Sequence, residues 1–214
     1  IRDFDYNVGF NLSTTSNKIT SLADADQVLY GEGLKYGTEH FPTQTKVGKP
    51  IGAFYLYKTA GLFQNYAEVA AHKNKDGQPL QPNAKPGDIR FVDVDNNGVI
   101  DDNDKEYCGS AIPKVEVNLN LGAGYKGFDL SMVIGSAWGH KIYNGNKYLY
   151  EGMNSGSNFL RSTLNAWTPE NTKTDVPRAV YEDPNGNLKE SDRFLEKGDF
   201  IRLRQIQLGY SLPK

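Results

Sequence analysis

The residues best suited to chemistry lie in one run, Asp93-Val94-Asp95-Asn96-Asn97-Gly98-Val99-Ile100-Asp101-Asp102-Asn103-Asp104. Oxygen-bearing side chains recur at alternate positions and a glycine follows the third, the spacing of a twelve-residue calcium loop. Asp93, Asp95 and Asn97 would supply side-chain oxygens, Gly98 the sharp turn, and Val99 a backbone carbonyl. Asp101 would act directly or through water, while Ile100 packs inward. The last position departs from the pattern, because Asp104 stands where a bidentate Glu is usual. Its shorter side chain is expected to give one oxygen and an affinity of the weaker, extracellular grade. The same run also reads as an Asx- and Gly-rich turn with solvated carboxylates, and both readings stay open at this point.

Little else in the chain suggests chemistry. His40, His72 and His140 are scattered and none has a second His or Cys at metal-ligand spacing, so surface or interfacial histidines are expected. There is no G-x-S-x-G elbow, no phosphate-binding loop and no isolated carboxylate pair, and no enzymatic role is expected. The single Cys108 excludes an internal disulfide framework and reads as a small buried hydrophobe. Aromatic residues between the regular elements, Tyr143, Tyr148, Tyr150, Phe159 and Trp167, are candidates for stacking on a ligand or partner. Of these, Tyr148, Tyr150 and Trp167 are the preferred contact residues; the competing reading is that they pin long loops together.

The elements around the acidic run are strands. Ile89, Phe91 and Val94 precede it with strand character and Ile112-Pro113 follows, so these are not the flanks of an EF-hand; a bound cation would staple a loop. Farther on, Val115, Val117, Leu119, Leu121, Ala123 and Tyr125 alternate with Glu116, Asn118, Asn120, Gly122 and Gly124. Phe128, Leu130, Met132, Ile134 and Trp138 then alternate with Asp129, Ser131, Val133, Gly135 and Ala137. A period of 2 means strand, and the Lys126-Gly127 link predicts a tight hairpin. At roughly 3.4 Å per residue, an arm from Phe128 to Trp138 spans about 34 Å, or about 24 Å when tilted by about 45°. That matches the apolar band of an outer-membrane barrel. Tyr125 and Phe128 beside the turn, with Trp138 and Tyr143 at the far end, predict two interfacial girdles. Arms this long exceed the usual soluble strand, although a soluble sandwich with long strands shares the alternation.

The same rhythm runs through Phe4, Tyr6, Val8, Phe10 and Leu12 near the start and Ile206, Leu208, Tyr210 and Leu212 near the end. The chain therefore reads as an internal piece of something larger. Ile51 to Phe63 is read as a further strand near the barrel rim, and Leu160 to Trp167 and Ala67 to His72 as short helical turns. Between the strands, Asn65 to Asp88 and Asn144 to Lys197 are long, polar and interrupted by proline, which predicts irregular connections. One short turn against such long connections is the asymmetry of outer-membrane barrels. With 26 acidic against 24 basic residues in 214, the net charge is -2 and no basic patch invites nucleic acid. No run of 18 apolar residues is present, so a helical span is not expected.

Several strings make the chain similar to the SusC/RagA family of TonB-dependent outer-membrane transporters. They are Val47-Gly48-Lys49-Pro50-Ile51-Gly52 with Lys58-Thr59-Ala60-Gly61-Leu62-Phe63, Lys85-Pro86-Gly87-Asp88-Ile89-Arg90-Phe91, Ile112-Pro113-Lys114 with the hairpin, and Trp167-Thr168-Pro169-Glu170-Asn171-Thr172. The last is Ser191 to Arg204 with Leu208-Gly209-Tyr210. The resemblance runs from about Val47 to Lys214; 1–46 agrees only in rhythm. It implies an all-β fold in which residues 1–214 are part of a 22-stranded antiparallel barrel, 93–104 are a calcium-loop-like insertion, and the plug domain and final strands lie outside. It further implies a Gram-negative outer membrane and import of oligosaccharides or peptides. The implied partners are a SusD-like surface lipoprotein, the remainder of the transporter, membrane lipid, and TonB acting through the missing N-terminal part. The alternative from the residues alone is a soluble, secreted, calcium-stapled β-domain that binds glycans. The two differ at Val117, Leu119, Leu130 and Met132, which lipid covers in a barrel and a second sheet covers in a sandwich.

Overall fold

A computed structural model describes residues 4–24, 27–36, 38–154, 156 and 158–212. The chain divides into two units: 1–18 with 110–142 and 197–214, and 19–109 with 143–196.

The first unit is built on a four-stranded antiparallel sheet. Its strands Phe4–Thr14, Val115–Tyr125, Phe128–Trp138 and Phe200–Tyr210, each of 11 residues, lie side by side in that order. The hairpin predicted from alternation forms in register, with Tyr125 opposite Phe128 and Val115 opposite Trp138. Lys126 (φ 47°) and Gly127 (φ 84°) both occupy the left-handed region that a two-residue turn of this hand requires. Register brings Phe4, Tyr125, Phe128 and Tyr210 into one row across all four strands at the turn end. The Phe128 and Tyr210 rings lie 4.5 Å apart. The aromatic pair expected beside the turn thus continues onto the outer strands. Thr14, Val115, Trp138 and Phe200 mark the opposite end, so both long connections, 15–114 and 139–199, leave the sheet where the short turn is not.

The last strand is longer than its alternation suggests. Ile201 and Leu203 fall out of phase with Ile206, Leu208 and Tyr210, because Arg204 and Gln205 intervene. A bulge repairs the phase: Val133 pairs with Gln205, Ile134 with Leu203, and Arg204 is the extra residue. Both apolar runs thereby share one face. On the opposite face, small and polar residues oppose one another. A Cβ on Gly122 would come within 2.5 Å of the Asn7 amide, one on Gly124 within 2.4 Å of the Asp5 carboxylate, and one on Gly135 within 2.4 Å of the Arg204 guanidinium. The apolar side chains of the outer strands stay in the open, with Phe10 66%, Ile206 61% and Leu208 73% exposed. Among the described residues, no second sheet covers them as a soluble sandwich requires. Nor is any helix among the described residues long and apolar enough to cross a membrane.

The second unit contains the segments expected to be irregular, and it has its own core. Ala53–Tyr57 is buried at every position, pairing with Lys105–Gly109 on one side and Thr43–Thr45 on the other. The strand read in Ile51 to Phe63 is thus real but belongs to this small sheet, followed by a second strand, Thr59–Leu62, that pairs with Ile89–Phe91. Burial on both faces explains the weak alternation. Tyr57, Ile89 and Phe91 pack together, joined by Leu62 and Ile100; fully burying an apolar side chain of this size contributes about 1.5–3 kcal/mol. The short helical turns fall close to expectation, as Tyr66–Ala71 and a 3-10 turn Arg161–Asn165. A helix at Gly145–Tyr150, started by the Asn144 side chain accepting from Lys147 N–H, forms where proline-rich composition suggested none.

Candidate functional site

The acidic loop is held from both sides by the core it grows from. Ile89–Phe91 delivers the chain into it, and the buried ends of that strand fix its entry. Thr59–Leu62 pairs with this strand, and side-chain amides serve three more of its backbone groups. Phe91 N–H donates to Gln81 Oε1 (2.8 Å), Gln81 Nε2 donates to the Ile89 carbonyl (2.9 Å), and Ile89 N–H donates to Asn187 Oδ1 (2.9 Å). Behind it, Asp88 is fully buried and accepts two bonds from Arg178, Nε at 2.8 Å and Nη2 at 3.0 Å, and one from Asn187 Nδ2 at 2.9 Å. A buried carboxylate is tolerated only with partners of this quality.

Within the loop, Asn96 (φ 58°) and Gly98 (φ 92°) reverse the backbone. Asp95 accepts from Asn97 N–H at 3.0 Å, Asp93 Oδ2 from Gly98 N–H at 2.9 Å, and Asn97 Oδ1 from Val99 N–H at 2.8 Å. Buried Asp104 closes the ring, taking Val94 N–H at 2.7 Å and Asp101 N–H at 2.8 Å. Asp93, Asp95 and Asp104 each place a carboxylate oxygen so that all three lie within 4.8 Å of one another. Oxygens around one calcium ion at about 2.3–2.6 Å have this spacing. Asp93 Oδ1 is buried and accepts no hydrogen bond among the described residues. Asp101 is not part of this group; it caps the 3-10 turn Asp102–Asp104 by accepting from Asn103 N–H at 2.8 Å. Ile100 packs inward on the core, as its place in the loop predicts.

A lysine network that the sequence did not announce fastens the far end of the loop. Tyr57 Oη donates to Asp102 Oδ1 at 2.9 Å, and Lys105 Nζ lies 3.0 Å from Asp102 and 2.9 Å from Glu190. Lys105 and Lys189 sit over the Tyr57 ring at 5.2 and 5.1 Å. Burial, aided by the bond to Asp102, drives the Tyr57 hydroxyl well above its ordinary range. Lys105 draws Asp102 below the usual carboxylate value, while burial pulls the Lys189 ammonium down. Apart from Asp102 and Lys105, which are three residues apart, the partners are distant in sequence, so no spacing could reveal them.

The other candidate residues separate by burial. Tyr148 is buried with its ring 5.4 Å from that of Phe194, and burial pushes its hydroxyl up to about 12. Trp167 is buried too, its indole N–H donating to Gln64 Oε1 at 3.0 Å. Tyr150 keeps an open surface. Tyr143 belongs to the second unit, with its ring 6.0 Å from that of Phe194. His72 and His140 are partly buried, edge-on to Phe63 and Phe200. Burial, with Arg90 nearby, lowers the His72 pKa. The side chain of His40 lies outside the described residues. Cys108 is half-buried and its thiol is pushed up by desolvation, in keeping with a packing role.

No family model matches the chain. Among curated proteins, TonB-dependent receptor P3 of Formosa agariphila is 30% identical over 218 residues, covering 100% of this chain and 20% of the receptor. TonB-dependent receptor SusC of Bacteroides thetaiotaomicron is 28% identical over 217 residues, covering 98% of this chain and 19% of SusC. Among solved structures, a chain of the RagAB peptide transporter superposes with a TM-score of 0.70 at 22% identity, covering 100% of this chain and 21% of that one. The RagAB peptide importer in its open-open state gives 0.69 at 23% identity over the same shares. These proteins are receptors and transporters rather than enzymes. The chain spans about a fifth of the length of the relatives it matches. Sequence and fold agree over the full chain: it is related to the TonB-dependent receptors of the SusC/RagA kind and corresponds to part of their antiparallel barrel.

Proposed function

We propose that these residues are wall strands and their long connections in an outer-membrane transporter of a Gram-negative bacterium, energised by TonB through parts of the receptor outside this chain. The observation that carries this reading is the long-strand sheet, apolar and exposed on one face and lined by Asn, Asp and Gly on the other. Lipid suits the first face and a wet lumen the second. Residues 1–214 are then one stretch of the barrel domain, and the two long connections leave its outer rim, as the short Lys126-Gly127 turn at the other end suggests. The cargo is a large nutrient, an oligosaccharide or a peptide, delivered with a SusD-like surface lipoprotein. Tyr150, with its open ring, is suited to touch ligand or partner. The test is to express the parent protein whole, fractionate membranes and capture it by a tag. Recovery in the outer membrane with a lipoprotein encoded beside it is expected; a soluble secreted product without such a partner would sink the reading.

In the same reading the 93–104 loop holds a calcium ion on Asp93, Asp95 and Asp104, with Asn97 and the Val99 carbonyl as further oxygens and Asp101 reaching it through water at most. Three carboxylates this close repel one another, and the buried Asp93 Oδ1 accepts no hydrogen bond among the described residues. The ion would fasten the loop to the core and has no catalytic part. Calorimetric titration of the chelator-stripped whole receptor with calcium chloride is expected to give a dissociation constant of about 10⁻⁴–10⁻³ M. Asp93→Asn should weaken it; an equal response from wild type and variant removes the site.

A further inference from the structure

We propose that the cleft walled by Trp167, Pro86, Pro169 and Tyr66 in the second unit binds one apolar side chain of a peptide, together with a carboxylate next to it. The cleft holds about 430 Å³, and Lys85 and Thr172 also line it. That volume suits a single large side chain and its backbone.

The walls are already set for such a guest. Gly87, at φ +88°, lets the backbone lie flush on the indole, where a Cβ would be 2.4 Å from Trp167 Cε3. The indole is fixed at its other end by Gln64, and its backbone N–H donates to the Val176 carbonyl at 2.9 Å. The two prolines have no backbone donor and little freedom to lose. A pre-formed apolar cleft of this kind binds without the entropic cost of ordering its walls.

The polar groups decide which guest fits. Sugar rings need many hydrogen-bonding partners, and the amides here are already engaged. Gln64 accepts from Trp167 and donates to the Leu62 carbonyl, while Asn65 accepts from Glu68 N–H and donates to its carboxylate. Arg178 is taken by Asp88. Lys85 is left, forming no ion pair among the described residues, and Thr172 and Tyr66, each with a hydroxyl, are exposed. One unpaired ammonium beside an apolar cleft matches an apolar side chain with an adjoining carboxylate, such as a peptide C-terminus or a neighbouring acidic residue. The assignment rests on this cleft alone and holds whether or not the receptor carries its guest inward.

The experiment titrates the full-length protein in detergent with acetyl-Pro-Phe bearing a free carboxylate, followed by saturation-transfer NMR. Saturable binding is expected. Amidation of the dipeptide, or Lys85→Gln, should each weaken it about tenfold, the effect of losing one charge-assisted contact. Thr172→Trp, an exposed substitution that fills the cleft, should abolish it. Failure to saturate, or binding that Lys85→Gln and Thr172→Trp both leave unchanged, overturns the proposal. Loss with Thr172→Trp but indifference to amidation and to Lys85→Gln overturns the carboxylate half. Displacement of the dipeptide by maltotriose overturns the preference for a side chain over a sugar.

Discussion

The two units of this chain are both built of β-strands, yet they satisfy their side chains in opposite ways. The long-strand sheet turns large apolar residues such as Phe10 and Leu208 outward and has no core of its own beneath that face among the described residues. The 19–109 and 143–196 unit closes around Phe63, Phe91 and Phe194, all fully buried, and locks the surrounding backbone with Asp88, Arg178, Gln81 and Asn187. One region depends on what surrounds it; the other carries its stability inside. Strand content is therefore a poor guide to what a substitution does, and burial with its partners is a better one.

The sharpest way to break this contrast is at the buried ion pair. Arg178→Ala leaves the Asp88 carboxylate buried without its main partner and should cost about 3–5 kcal/mol locally. Hydrogen exchange in the whole receptor should show lost protection at Ile89–Phe91 with the long strands unchanged; equal loss in both would merge the two regions. Next in size is the wall itself. Leu119→Arg places a charge on the apolar face, at roughly 2–4 kcal/mol for a lipid-facing site near the midplane. A heat-modifiability gel should show less assembled barrel. Asn120→Arg, one residue along on the polar face, should assemble normally; failure of both alike would deny the sheet two distinct faces.

Gly87→Ala probes the seam between backbone and indole. The new Cβ would lie 2.4 Å from Trp167 at a φ of +88°, so a loss of about 1–3 kcal/mol is expected. Faster proteolysis of the 85–91 segment would report it. The smallest effect should come from acid. Lys105 and the Tyr57 hydroxyl hold the Asp102 carboxyl below its ordinary value, so its contribution is complete above the unfolded value near pH 4 and fades as pH falls through the lower folded one. Asp102→Asn should flatten that dependence of loop protection without moving the long strands.

What the sequence disclosed follows the same division. Alternation located the Val115–Tyr125 and Phe128–Trp138 arms and their turn to the residue, because one face of each is apolar and the other polar. It missed the start of the last strand, where Arg204 and Gln205 break the period and only a bulge restores it. Ala53–Tyr57 was legible as strand but not as core, since burial on both faces erases alternation. In the loop, the spacing of Asp93, Asp95 and Asp104 did foretell their convergence, whereas Asp101 turned to capping a helix turn. The Asp88–Arg178 clamp and the lysines around Tyr57 join residues too distant in sequence for any local pattern to expose.

The shared exit of the two long connections carries a consequence for the order in which the sheet can form. The central hairpin closes through a two-residue turn, whereas its neighbours Phe4–Thr14 and Phe200–Tyr210 must find it across the 15–114 and 139–199 segments. Were those segments flexible chain, closing the longer would cost about 3 kcal/mol more than closing the turn. A connection with its own buried core is no longer flexible chain. Folding it in advance shortens the search of the outer strands for their partners, so weakening the Phe63 and Phe91 core is expected to slow the pairing of Phe4–Thr14 and Phe200–Tyr210 with the hairpin.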